Sequence, residues 1–145
     1  MILFFIIMEN KFNVNSQICT PYFEGGVFKG VRVSIDDEDF IVAPEDYNNG
    51  EELTWNYAMY FLNDANLETF NHKQACFIAA YHKEINEILV QNGGHAFEQD
   101  THYWTNEELS YHSAYDYFEP GTIGISVKAL KVRVRLITDL RPTGK

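Results

Sequence analysis

Five histidines and two cysteines are the residues best suited to metal or nucleophilic chemistry, and their spacing argues against both. His72, His82, His95, His102 and His112 are scattered. A cluster of His95, Asp100, His102 and His112 can be drawn, yet its intervals match neither HExxH nor another recognised ligand pattern. Cys19 and Cys76 stand far apart with no CxxC interval, so free thiols are expected rather than a disulfide framework, with a bond between the two left open. Calcium requires clustered oxygen ligands, and "IDDEDF" at 35–40 supplies carboxylates without EF-hand spacing or its glycine. No Gly-x-Ser-x-Gly elbow and no nucleophile–base pair is present. The expectation is a protein that is not an enzyme and has no cofactor or metal.

The elements that would carry any site follow from periodicity. Val31, Val33 and Ile35 alternate with Arg32 and Ser34, predicting a β-hairpin in which Val27–Ile35 turns at 36–38 and returns through Phe40–Ala43. Thr54 precedes an apolar stripe of Trp55, Ala58, Met59 and Leu62, the spacing of a short helix. Asn71 caps a second predicted helix whose inward residues are Ala75, Ile78, Ala79, His82, Ile85, Ile88 and Leu89, with Gly93-Gly94 as its stop. From 103 to 140 the period is that of strands, broken by the turn "EPGT" at 119–122. In "VRVRLI", Val132, Val134 and Leu136 are read as inward, Arg133 and Arg135 as outward and paired with carboxylates on neighbouring strands. Trp55 and Trp104 are read as core anchors. The order predicts an α+β domain, two helices flanking a mainly antiparallel sheet, with the last strand beside the early ones.

Lys128, Lys131, Arg133, Arg135, Arg141 and Lys145 face only Asp139 among residues 125–145, so this segment carries +5 and the rest of the chain −15. An acidic body of this kind disfavours nucleic acid as a partner. The opening "MILFFIIMENK" is too short for a membrane span and lacks the flanks of a signal peptide. Residues 1–8 are therefore expected to be a non-native or disordered start, 9–140 a single domain and 141–145 a tail. Location is expected to be cytoplasmic or virion-associated.

"LTWNYAMYFL", "YWTNEE", "SAYDYFEPG" and "KVRVRLI" resemble, in order and spacing, the signatures of the Lcl C-terminal and major paralogous domain family. The resemblance spans roughly residues 45–140 and implies a C-type-lectin-like fold. Trp55 and Ala58 match its helix signature, Tyr103 and Trp104 its core strand, Glu107 or Glu108 the acidic end of that strand, and Gly121 its turn. Arg133 and Arg135 fall at or near the family arginine. "LETFNHK" lacks the proline expected before the second helix, and Gln74-Ala75 replaces its usual glutamate.

The resemblance implies a non-catalytic ligand- or surface-binding module of a bacterial or phage/mobile-element protein, with a carbohydrate or protein ligand and homo-oligomerisation left open. Two other readings are a structural component of a virion or surface appendage, and an enzyme related in fold to the formylglycine-generating enzymes, whose C-terminal cysteine pair has no counterpart after Cys76. Calcium-dependent sugar binding is disfavoured, because Gly121 follows Glu119-Pro120 and Thr105 follows Trp104. The ligand surface is expected on the irregular segment after Trp104, at Asn106, Glu107, Glu108, Tyr111, His112 and Tyr115, where tyrosine offers large contact area at low entropy cost.

Overall fold

Strand β2 (Val27–Ile35) turns at Asp36-Asp37 into β3 (Glu38–Asp46), realising the hairpin predicted from alternation, and β1 (Cys19–Glu24) pairs with its other side. The computed structural model describes residues 18–141. Expectations for residues 1–8, for the start of the domain at Glu9 and for the tail beyond 141 lie outside them. Gly30 sits where β2 presses on β3: a Cβ there would stand 2.0 Å from the Val42 carbonyl oxygen, so only glycine fits.

After a 3-10 turn at Tyr47–Gly50 come α1 (Trp55–Asp64), the two-residue β4 (Glu68–Thr69), α2 (His72–Ala80) and α3 (His82–Gln91). Strands β5 (His102–Glu108), β6 (Ser113–Phe118), β7 (Thr122–Val127) and β8 (Arg135–Asp139) follow. All named pairings are antiparallel and form two sheets, one ordered β1-β2-β3-β8-β4 and the other β5-β6-β7. The α+β class stands, with three helices instead of two and two sheets instead of one among the described residues. The late strand β8 does join the early hairpin, beside β3.

The single second helix predicted from 71 onward is broken at Tyr81, whose backbone leaves helical geometry (φ −115°, ψ 22°). Neither proline nor glycine marks the break. Its reason is tertiary: α2 packs on β5, β6 and β7 whereas α3 packs on β1 and β2, so one straight helix would miss one of the two sheets. Local signals at the ends hold. Asn71 and Gln74 form a reciprocal capping box. At the other end, Gly93 (φ 89°) stops α3, with Gly94 N–H donating to Leu89 O at 2.8 Å and Gly93 N–H to Val90 O at 3.2 Å.

Two apolar clusters result. One joins Val31, Val33, Phe40, Val42 and Ile137 to Ile78, Ile85, Leu89, Phe97, Tyr103 and Tyr117. The other gathers Leu53, Ala58, Leu62, Val132 and Val134 around Trp104, whose indole N–H donates to Leu53 O at 2.8 Å. Burying that ring contributes about 4–6 kcal/mol. The β8 segment runs between the clusters, so both of its faces are covered.

That position corrects the outward reading of Arg135, which is fully buried. Its guanidinium meets Asp46 Oδ1 at 2.8 and 2.7 Å and donates to the carbonyls of Ala43, His95 and Ala96 at 3.1, 2.9 and 3.2 Å. These five contacts match its five N–H donors. Arg133 also pairs with Asp46, at 2.8 Å, in keeping with the expected pairing to a carboxylate on the neighbouring strand.

Candidate functional site

The groove of interest opens where three chain segments end together. Trp55 begins α1, Glu108 ends β5, and Lys128 follows β7. Backbone hydrogen bonds fasten them: Trp55 N–H donates to Lys128 O at 3.0 Å, and Lys128 N–H donates to His112 O at 2.9 Å. The resulting half-open cavity has a volume of about 930 Å³. A space of that size lies within the range of small-ligand sites.

Trp55 is half-buried rather than a core anchor, so its role differs from the sequence expectation. Its indole N–H donates to Thr105 O at 2.9 Å, which fixes the ring plane. Lys128 lies across that ring, Nζ 4.5 Å from the centroid, and is ion-paired with Glu108. The lysine side chain is only 10 % exposed, whereas that of Glu108 is 57 % exposed. A nearly buried ammonium held between an indole and a carboxylate is positioned rather than free to swing.

The opposite rim is the loop 109–112. Leu109 and Ser110 N–H groups both donate to Ser113 O, at 2.9 and 3.1 Å, and the Ser110 and Ser113 hydroxyls lie 2.7 Å apart. The loop is thereby closed on itself, and it leaves Tyr111 85 % exposed with His112 edge-on to it at 4.8 Å.

The six sequence-predicted site residues therefore divide. Glu108, Tyr111 and His112 line the groove together. Asn106 lines a separate cleft of about 520 Å³ on the other side of Trp55, its amide donating to Thr69 O at 3.3 Å. Glu107 accepts from His72 N–H at 3.0 Å at the start of α2, and Tyr115 stacks on the His72 ring at 4.1 Å. Both serve that helix end rather than the groove. Sequence reasoning missed Trp55 and Lys128 as groove residues. The signal for Lys128 was its parity with Ser126 on β7, hidden because this strand inverts the usual pattern: Ser126 and Lys128 are buried while Ile125 and Val127 are exposed.

The inversion has a polar cause beneath the sheet. Asp116, fully buried, pairs with His102 Nδ1 at 2.5 Å and accepts from Ser126 Oγ at 2.8 Å. Elsewhere Glu119 is buried among Tyr117, Asn86 and Gln99, with His82 Nδ1 at 3.4 Å. Among the described residues no group of three or more His, Cys, Asp or Glu side chains is placed to hold a metal ion. Cys19 is buried, Cys76 is exposed, and both are free thiols. Burial raises the Cys19 thiol from its usual 9.0 to about 12.

Chemically, the groove offers one cation, one carboxylate, an imidazole, a phenol and an indole edge. Among the described residues its lining includes neither cysteine nor serine. Against models of known protein families and against curated proteins the chain has no match, so the reading of the site rests on its geometry.

Proposed function

We propose that this protein is a non-catalytic binding module, on a C-type-lectin-like framework, that meets a carbohydrate or protein ligand in the Trp55–Tyr111–Lys128 groove. The observation that carries the reading is the contrast between a rigid floor and an exposed rim: Lys128 is 10 % exposed and held on both sides, while Tyr111 is 85 % exposed, its ring edge-on to His112. A large aromatic ring kept in solvent on a closed loop is a contact residue in waiting. Support for the lectin-like framework comes from β8 joining the early hairpin and from a second sheet, β5–β7, that bears the groove at its end. A bacterial or phage/mobile-element setting follows from the family resemblance.

The test begins with a glycan and surface-protein array probed with the intact chain. The Tyr111→Ala/His112→Ala variant should lose binding to every partner found, with its melting temperature within a few degrees of the parent. Retained binding in a folded variant would place the ligand elsewhere.

A further inference from the structure

The first turns of α2 hold a nucleophile and a base side by side, and neither lines the groove. Cys76 Sγ lies 3.9 Å from His72 Nε2, one helical turn apart on the same face. Cys76 is exposed, while the buried side of this helix is Gln74, Ala75 and Ile78. Free cysteine is among the residue types most often buried. An exposed one beside an imidazole is placed for its chemistry rather than for packing.

The imidazole is held from two sides. Its ring stacks on that of Tyr115 at 4.1 Å with the planes 20° apart, and His72 N–H donates to Glu107 Oε1 at 3.0 Å. Both partners belong to the small sheet, Glu107 at the end of β5 and Tyr115 within β6. Stacking occupies a ring face and leaves the nitrogen edge free for the thiol. With Nδ1 carrying the ring proton, Nε2 is an acceptor for S–H. Glu107 and Tyr115, expected from the sequence at a ligand surface, thus orient a base instead. Cys19 supplies the contrast: it is 4 % exposed, and burial together with Glu84 holds its thiol up at about 12, so it stays protonated and out of reach of reagents.

From this pair we infer that Cys76 is a modification site that takes a small disulfide, with His72 as the base that activates it. In the reaction His72 Nε2 accepts the Sγ proton, and Sγ attacks one sulfur of R–S–S–R. A bond from Cys76 Sγ to that sulfur forms as the S–S bond breaks. The departing R–S⁻ leaves with the bonding electron pair and takes the proton from Nε2 as R–SH. The protein thiol is oxidised and half of the small disulfide is reduced, so no other reactant is needed. A base-to-nucleophile separation of this length tightens when the reacting partner arrives.

The test treats the intact chain with 2-hydroxyethyl disulfide, a neutral probe that the chain charge of −10 neither attracts nor repels. Peptide mass analysis should find the adduct on Cys76 and not on Cys19, and Cys76→Ser should give none. His72→Phe keeps a ring for Tyr115 but removes the base, and it should slow labelling at least about 10-fold with circular dichroism unchanged. Free imidazole should restore most of the lost rate in His72→Ala, which a merely structural role for the side chain would not allow. Labelling as fast in His72→Phe as in the parent would overturn the inference, as would a folded His72→Ala protein that imidazole does not rescue. Should either variant unfold, Cys19 would label with Cys76, and the parent alone decides: a rate at Cys76 no higher in the folded chain than in the urea-unfolded one would overturn the inference equally.

Discussion

Arg135 shows how much one side chain can hold when every donor is matched. It joins β8 to β3 through Asp46 and to the loop after α3 through His95 and Ala96, and it lies 4.6 Å above the Phe97 ring. Replacing it with methionine would leave three carbonyls unbonded and half of the charge on Asp46 uncompensated, so Arg135→Met should cost about 3–5 kcal/mol in urea denaturation. Arg135→Lys should recover little, because an ammonium cannot supply the planar fork. A loss below 1 kcal/mol would show that the pairing is replaceable. The alternation "VRVRLI" did separate the two faces of this segment correctly. What it could not reveal was that the second face is covered too, since burial of both sides depends on helices distant in sequence. Lys128 escaped for the related reason that its burial depends on Glu108 and Trp55, which are distant in sequence.

Elements were most legible where the signal is local. The Asn71 side chain accepts from Gln74 N–H at 2.7 Å while Gln74 Oε1 accepts from Asn71 N–H at 2.9 Å. Asn71→Ala should therefore destabilise the protein by about 1 kcal/mol, seen as a lower urea midpoint at unchanged slope. An unchanged midpoint would mean that Glu107, on the His72 N–H, caps the helix unaided. The hairpin, the turn at 119–121 and the glycine stop were readable for the same reason. The break at Tyr81 was not, because it answers to the angle between two sheets and leaves no mark in the residues that bend. For the candidate site, Glu108, Tyr111 and His112 could be found from their polar, aromatic character in an irregular segment, whereas Trp55 read as core because its helix stripe is correctly apolar.

At the scale of the whole molecule, stability should depend on pH through groups buried in neutral form. Burial lifts Tyr103 from 10.0 to about 12, and burial with the adjoining Glu119 carboxylate lifts Tyr117 higher still. Cys19 moves from 9.0 to about 12 by burial and by Glu84. Each folded value is raised, so each contribution is complete below the unfolded value and disappears as pH climbs through the folded one. Stability should hold to about pH 9 and fall between roughly pH 9 and 12, with the buried tyrosinate absorbance appearing together with the loss of circular dichroism. Tyrosinate formed while the far-ultraviolet spectrum persists would contradict this.

The place of β8 in the large sheet bears on how the protein is made. A ribosome releases the chain from its first residue onward, and β3 and β4 emerge long before the strand that must lie between them. Until residues 132–139 are free, Asp46 lacks the guanidinium groups of Arg133 and Arg135, and Ile137 is missing from one core while Val132 and Val134 are missing from the other. The large sheet thus closes out of sequence order: hairpin and helices wait without a common partner until the strand between β3 and β4 is made.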